Sequence, residues 1–67
     1  MEITVNHLNY HLTAGCSVAE MLSSVLQTEP RNIAVAVNQS IVAKSNWHIH
    51  LLMPGDQVIL IKATQGG

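Results

Sequence analysis

Apolar and polar positions alternate from Met1 to Asn6, with Ile3 and Val5 on one face, and alternate again over Leu8, Tyr10 and Leu12. Two period-2 segments meeting at Asn6-His7 predict a β-hairpin, because asparagine accepts the positive φ of a tight turn. Thr13-Ala14-Gly15 breaks the alternation, and the period then changes. Val18, Met21, Leu22, Val25 and Leu26 fall on one stripe of a helix, with Ser23, Ser24 and Gln27 turned outward. Ser17-Val18-Ala19-Glu20 has the form of a capping box. The Ser17 hydroxyl can accept from the Glu20 amide, and the Glu20 carboxylate can reach back to the Ser17 amide. Cys16 and Met21 are spaced as a hydrophobic staple around that cap. Pro30 ends any continuation, so the predicted helix runs from about Val18 to about Thr28.

Ile33-Ala34-Val35-Ala36-Val37 is a continuous apolar run, too short for most helices. It predicts a central strand buried on both faces. Asn38-Gln39-Ser40 turns the chain into a short strand at Ile41-Val42. Ala43 to Met53 has no clear period, beyond a possible helical turn around Ser45-Asn46-Trp47. Pro54-Gly55-Asp56 is a strong turn signal, and Gln57 to Lys62 reads as the last strand. The order is ββ, α, β, short β, β. One helix on a small mixed sheet gives an α+β domain with two layers around one core.

Sixty-seven residues make one domain, expected to span 1–67, with 63–67 as a flexible C-terminal tail. The single cysteine forbids an internal disulfide, and no Cys/His set has structural-zinc spacing. So small a core leaves little room for a buried catalytic cleft, so the chain is not expected to be an enzyme. Only 10% of residues are charged, and the basic ones are Arg31, Lys44 and Lys62. Three cations cannot track a phosphate backbone, and Tyr10 and Trp47 alone cannot build a base-stacking platform. Nucleic acid is not an expected partner. The N-terminus lacks the basic start and apolar stretch of a signal peptide. No apolar run approaches the roughly 20 residues that span a bilayer. The expectation is no membrane partner and a cytoplasmic location.

The chain ends at Gly66-Gly67, directly after the last predicted strand. A side-chain-free tail with a terminal carboxylate can be threaded into another enzyme's active site. Ala63 to Gly67, fully extended, would reach about 17 Å at roughly 3.3 Å per residue. Glycine permits close backbone approach at no steric cost.

Over its whole length the chain resembles the ThiS family, the small ubiquitin-like sulfur carriers of thiamin thiazole synthesis. The resemblance rests on length, element order, Ala36-Val37-Asn38-Gln39, the stretch Leu52-Met53-Pro54-Gly55-Asp56-Gln57-Val58, and the terminal Gly66-Gly67. It implies a ubiquitin-like β-grasp, in which the first and last strands pair in parallel at the sheet centre. It also implies a mechanism. A ThiF-like adenylating enzyme uses Mg-ATP to convert the Gly67 carboxylate to an acyl-adenylate. Sulfur from a donor enzyme's persulfide replaces AMP and leaves a Gly67 thiocarboxylate. A ThiG-like thiazole synthase then takes that sulfur. Gly67 matches the family's reacting residue, and Gly66 and Gln65 are the part of the tail threaded into the partner. Thr64 and Gln65 stand where the family varies and carry no role of their own. The carrier itself binds no cofactor and acts as a co-substrate of its partners.

Three other readings remain, one of them a carrier for another sulfur metabolite. The small subunit of molybdopterin synthase shares the tail chemistry, but such chains tend to be longer with a bulkier apolar stretch before the glycines, which Ala63-Thr64-Gln65 lacks. A passive β-grasp binding module would leave Gly66-Gly67 as a frayed end. The remaining reactive residues add little. Cys16 stands at a helix start, where a thiol pKa falls, but a lone cysteine before a cap reads as packing. His48 and His50 share a face if extended, yet a stable metal site needs three or four ligands. His7 and His11 lie in the first hairpin without convergent spacing. Trp47 is expected to cover the edge of the core rather than anchor a partner. Met21 belongs to the core by period, and Arg31 and Lys62 are expected to be solvated.

Overall fold

The computed structural model describes residues 1–26 and 32–62. Strands β1 (Glu2–Val5) and β2 (Leu8–His11) form the first hairpin, followed by helix α1 (Val18–Val25). Then come β3 (Ile33–Val37), β4 (Ser40–Val42), a 3-10 turn at Lys44–Asn46 and β5 (Gln57–Lys62). The strands form one sheet in the order β2-β1-β5-β3-β4. β1 and β5 run parallel at its middle, and the other neighbours are antiparallel. This is the expected β-grasp.

Both hairpins turn on an asparagine. Val5 pairs with Leu8 across Asn6 and His7, whose φ angles are 50° and 69°. Val37 pairs with Ser40 across Asn38 and Gln39, at 51° and 72°. Two left-handed residues in a two-residue loop match the twist of the strands they join. The turn before β5 closes with the Asp56 amide donating to the Met53 carbonyl at 3.1 Å, and Gly55 supplies its φ of 85°. Only glycine takes that conformation without cost.

The capping box at Ser17 forms as expected. The Glu20 amide donates to Ser17 Oγ at 3.1 Å, and the Ser17 amide donates to Glu20 Oε1 at 3.0 Å. The first two helical amides are satisfied from far away in sequence. Val18 donates to the His50 carbonyl and Ala19 to the Trp47 carbonyl, each at 2.9 Å. The segment with no legible period is therefore a brace for the helix start. It also delivers Trp47 and Leu52 to the core. The 3-10 turn lies one residue before the expected position, at Lys44–Asn46.

Two expectations are corrected. The helix ends at Val25, not near Thr28, which lies outside the described residues. Leu26 is extended, at φ −96° and ψ 132°, and still packs against the core. Its apolar character serves burial from an extended backbone, so the helical period ran past the helix. The second correction concerns β3, which among the described residues is covered by a second layer on one face only. Val35 and Val37 enter the core with Ile3, Val5, Val18, Met21, Leu22, Leu52 and Val58. Ala34 and Ala36 face the other way, where Ala36 pairs with Ile41 and Ile59, and Ala34 with Ile61. Ile41 is 66% exposed on that face and Ile61 49%. Ala36 is buried because it is small among larger cross-strand neighbours, not because a second layer covers it.

The reciprocal cap predicts a measurable cost. Ser17→Ala should lower unfolding stability by about 1 kcal/mol in urea denaturation. An unchanged midpoint would show that the long-range bonds from Val18 and Ala19 hold the helix start alone.

Candidate functional site

Strand β5 is paired on both sides, with β1 and with β3. Val58 has no exposed surface. Toward β1 it lies beside Val5, and toward β3 beside Val37. The two turn asparagines bind its main chain from opposite sides. Asn6 donates its amide to the Val58 carbonyl at 2.9 Å and accepts from the Leu60 amide through Oδ1 at 2.8 Å. Asn38 donates its amide to the Gln57 carbonyl at 2.8 Å and accepts from the Gln57 amide through Oδ1 at 2.9 Å. Asn38 Nδ2 also donates to Asp56 Oδ1 at 3.0 Å, and Asp56 Oδ2 accepts from the Met53 amide at 2.8 Å. The left-handed conformation at each asparagine lets one residue close a hairpin and satisfy β5 at once. The strand is thus fixed in direction as far as Lys62, which pairs with Ile33.

The predicted site residues Gln65, Gly66 and Gly67 follow Lys62 in sequence and lie outside the described residues, as do Ala63, Thr64 and Arg31. Beside β5, the sheet face away from the helix carries Ile41, Ile59 and Ile61 around Ala34 and Ala36. An open apolar face of this kind suits a protein partner. The sequence carried a signal for it. Val58-Ile59-Leu60-Ile61 does not alternate, so it offers apolar side chains to both faces. The asparagine contacts to β5 had no such signal, since only the fold brings Asn6 to Leu60.

The remaining candidates are structural. Trp47 is buried, and its indole N–H donates to the Val42 carbonyl at 3.0 Å. That is the core-covering role expected of it. Met21 is fully buried. Cys16 is buried in the same core, and burial followed by the Glu20 charge pushes its thiol pKa up. The packing role is the one the structure gives it, because thiolate chemistry requires the opposite shift. A shallow depression beside it is lined by His11, Gly15, Cys16, Glu20 and Ser24, but Glu20 is already engaged in the cap. His48 is exposed and His50 half-buried. Among the described residues no group of three His, Cys, Asp or Glu could hold a metal ion. No described helix is long and apolar enough to cross a membrane.

A helix laid on a mixed sheet, with first and last strands parallel at its centre and a glycine pair beyond, defines a ubiquitin-like β-grasp domain. The chain belongs to the ThiS family, whose model matches residues 2–67. The Sulfur carrier protein ThiS of Escherichia coli (strain K12) is 34% identical over 67 residues, covering all of both chains. The crystal structure of the thiamine biosynthesis protein (ThiS) from Geobacter metallireducens superposes with a TM-score of 0.86 at 22% identity, again over all of both chains. A solution structure of a thiamine biosynthesis protein from that organism gives 0.77 at 22% identity, over all of this chain and 88% of the other. At that identity the two structures carry the fold alone.

The Cys16 assignment predicts slow thiol chemistry. In native protein at mildly alkaline pH, alkylation of Cys16 should be far slower than in urea-unfolded protein. Equal rates would overturn the packing role. The raised pKa also has a sign. Above the ordinary thiol pKa the unfolded chain releases a proton that the folded chain keeps, so Cys16 makes stability fall as pH rises through that window.

Proposed function

We propose that this chain carries sulfur as a thiocarboxylate on Gly67, for thiazole formation in thiamin biosynthesis. The observation that supports this best is the family match, which runs to Gly67 itself. The relative that matches end to end, at 34% identity, is a sulfur carrier protein. The anchored β5 supports it too, since a rigid strand ending at Lys62 gives residues 63–67 a fixed point to act from as a tail.

A carboxylate is a poor acyl donor, and adenylation gives it a leaving group. The Gly67 carboxylate attacks the α-phosphorus of ATP, and pyrophosphate departs. The outer sulfur of a persulfide attacks the acyl carbon, and AMP departs. A thiol then opens the acyl disulfide, releasing the thiocarboxylate and leaving a disulfide behind. A ThiF-like enzyme supplies the Mg-ATP site, a sulfur donor enzyme the persulfide, and a ThiG-like thiazole synthase the acceptor. Gly66 and Gln65 thread through the partner's channel, where a bulky residue in place of Gly66 would obstruct approach. The apolar face around Ile59 and Ile61 is the surface a docked partner would cover. A cytoplasmic location, where Mg-ATP is abundant, suits this chemistry. The carrier binds no cofactor and needs no thiol of its own.

Incubation with Mg-ATP, the activating enzyme and a persulfide donor should raise the intact mass by one oxygen-to-sulfur exchange, localised to Gly67. One residue added after Gly67 should leave the fold intact and abolish ATP–pyrophosphate exchange. An unchanged exchange rate in the extended chain would sink the carrier role. Cys16→Ala should still accept sulfur on Gly67, and a folded Cys16→Ala protein that forms no thiocarboxylate would reverse the role given to that residue.

A further inference from the structure

β5 is paired over unequal lengths on its two sides. Toward β3 the ladder runs from Val58 to Lys62. Toward β1 it stops after Thr4↔Gln57 and Val5↔Val58, because Asn6 and His7 turn the chain away into β2. The final bond on that side is made by a side chain, from the Leu60 amide to Asn6 Oδ1. Main-chain groups alternate sides along a strand. Val58 accepts from Asn6 on the β1 side, and Gln57 accepts from Asn38 on the β3 side. By that alternation the Leu60 carbonyl and the Lys62 amide face the β1 side as well. Among the described residues no strand stands next to them there. Lys62 is exposed.

We propose that this short open edge, the Leu60 carbonyl and the Lys62 amide, receives an extended strand of the enzyme that adenylates Gly67. The assignment rests on the carrier role proposed above and adds where and how the enzyme grips. Five residues follow Lys62 up to the carboxylate. They reach about 17 Å at most, at roughly 3.3 Å per residue. An enzyme holding the carboxylate beside its nucleotide must therefore lie against this end of β5. Main-chain pairing with an open edge gives affinity without demanding particular side chains, and it orients the tail along the added strand. A second copy of this chain is the poorer occupant. Two main-chain groups are a minimal edge, and antiparallel self-pairing there would set Lys62 near its own copy, the charge placement that blunts edges against self-association.

The test compares Lys62→Pro with Lys62→Ala. Proline removes the amide on the open side, leaves the β3 ladder bonds in place, and is tolerated where the missing N–H faces outward. Both variants should keep the wild-type circular dichroism. Lys62→Pro should bind the adenylating enzyme about tenfold more weakly than Lys62→Ala, the loss expected for one interfacial hydrogen bond. Amide hydrogen exchange gives a second readout free of any change in tail direction. The Lys62 amide should exchange at least about tenfold more slowly in the complex, while the Ile61 amide, which faces β3, should change little. Equal binding of the two variants, or an unprotected Lys62 amide in the complex, would overturn the proposal. A dimer of the chain alone, protecting Lys62 and lost in Lys62→Pro, would overturn the choice of occupant. Failure of the carrier role itself reads differently: wild-type chain bound to the enzyme with no adenylation.

Discussion

Two residue pairs join the ends of this chain: Thr4 with Gln57 and Val5 with Val58. Among the described residues they are the only registered strand pairs between the β1-β2 hairpin and the β3-β5 half of the sheet. The contact is short, so its surroundings must reinforce it. Burial does so from the helix side, where Val5 and Val58 share a core with Val18, Met21 and Leu22. Asn6 does so along the strand, adding its own amide and side-chain carbonyl where β1 ends. The Thr4 amide adds a bond to the Asp56 carbonyl at 3.0 Å, ahead of the paired residues. A parallel pair with only two registered positions thus behaves as a longer seam, and the terminal strand is held at the middle of the sheet rather than at its edge.

That placement separates two tasks. In the carrier role proposed above, the described residues up to Lys62 are the body, and the reacting carboxylate of Gly67 belongs to the sequence that follows. That proposed division fits the small number of reactive groups among the described residues. The single thiol is buried and made less acidic, the buried Ser17 hydroxyl is spent on a helix cap, and no buried side-chain nitrogen or oxygen lacks a partner among the described residues.

Much of this was legible in the residues. Asn6-His7 announced its hairpin because few side chains tolerate positive φ. Ser17 and Glu20 announced the helix start because their spacing leaves them one reciprocal geometry. Both signals are local, and local signals survive in sequence. The helix end was less legible, because Leu26 continues a helical period while serving burial from an extended backbone. The outer face of β3 was misjudged because alanines suit either a covered layer or an open one. Ala43 to Met53 had no period because its order comes from elsewhere: its carbonyls at Trp47 and His50 serve amides of α1. Family membership was readable from the whole-length resemblance, whereas the open edge of β5 needed the register.

The strand at the centre of the sheet is also synthesised after both strands it pairs with. Before residues 57–62 exist, the hairpins have no common neighbour and Val35, Val37 and Val5 have no Val58 to pack against. Long-range parallel pairing is slow to form, since the loop must close before the contact rewards it. A chain that stops short of residue 57 therefore cannot assemble this sheet. An activating enzyme that grips β5, as proposed above, would thus engage only a chain whose sheet is already joined, because the strand it holds is the one that joins it.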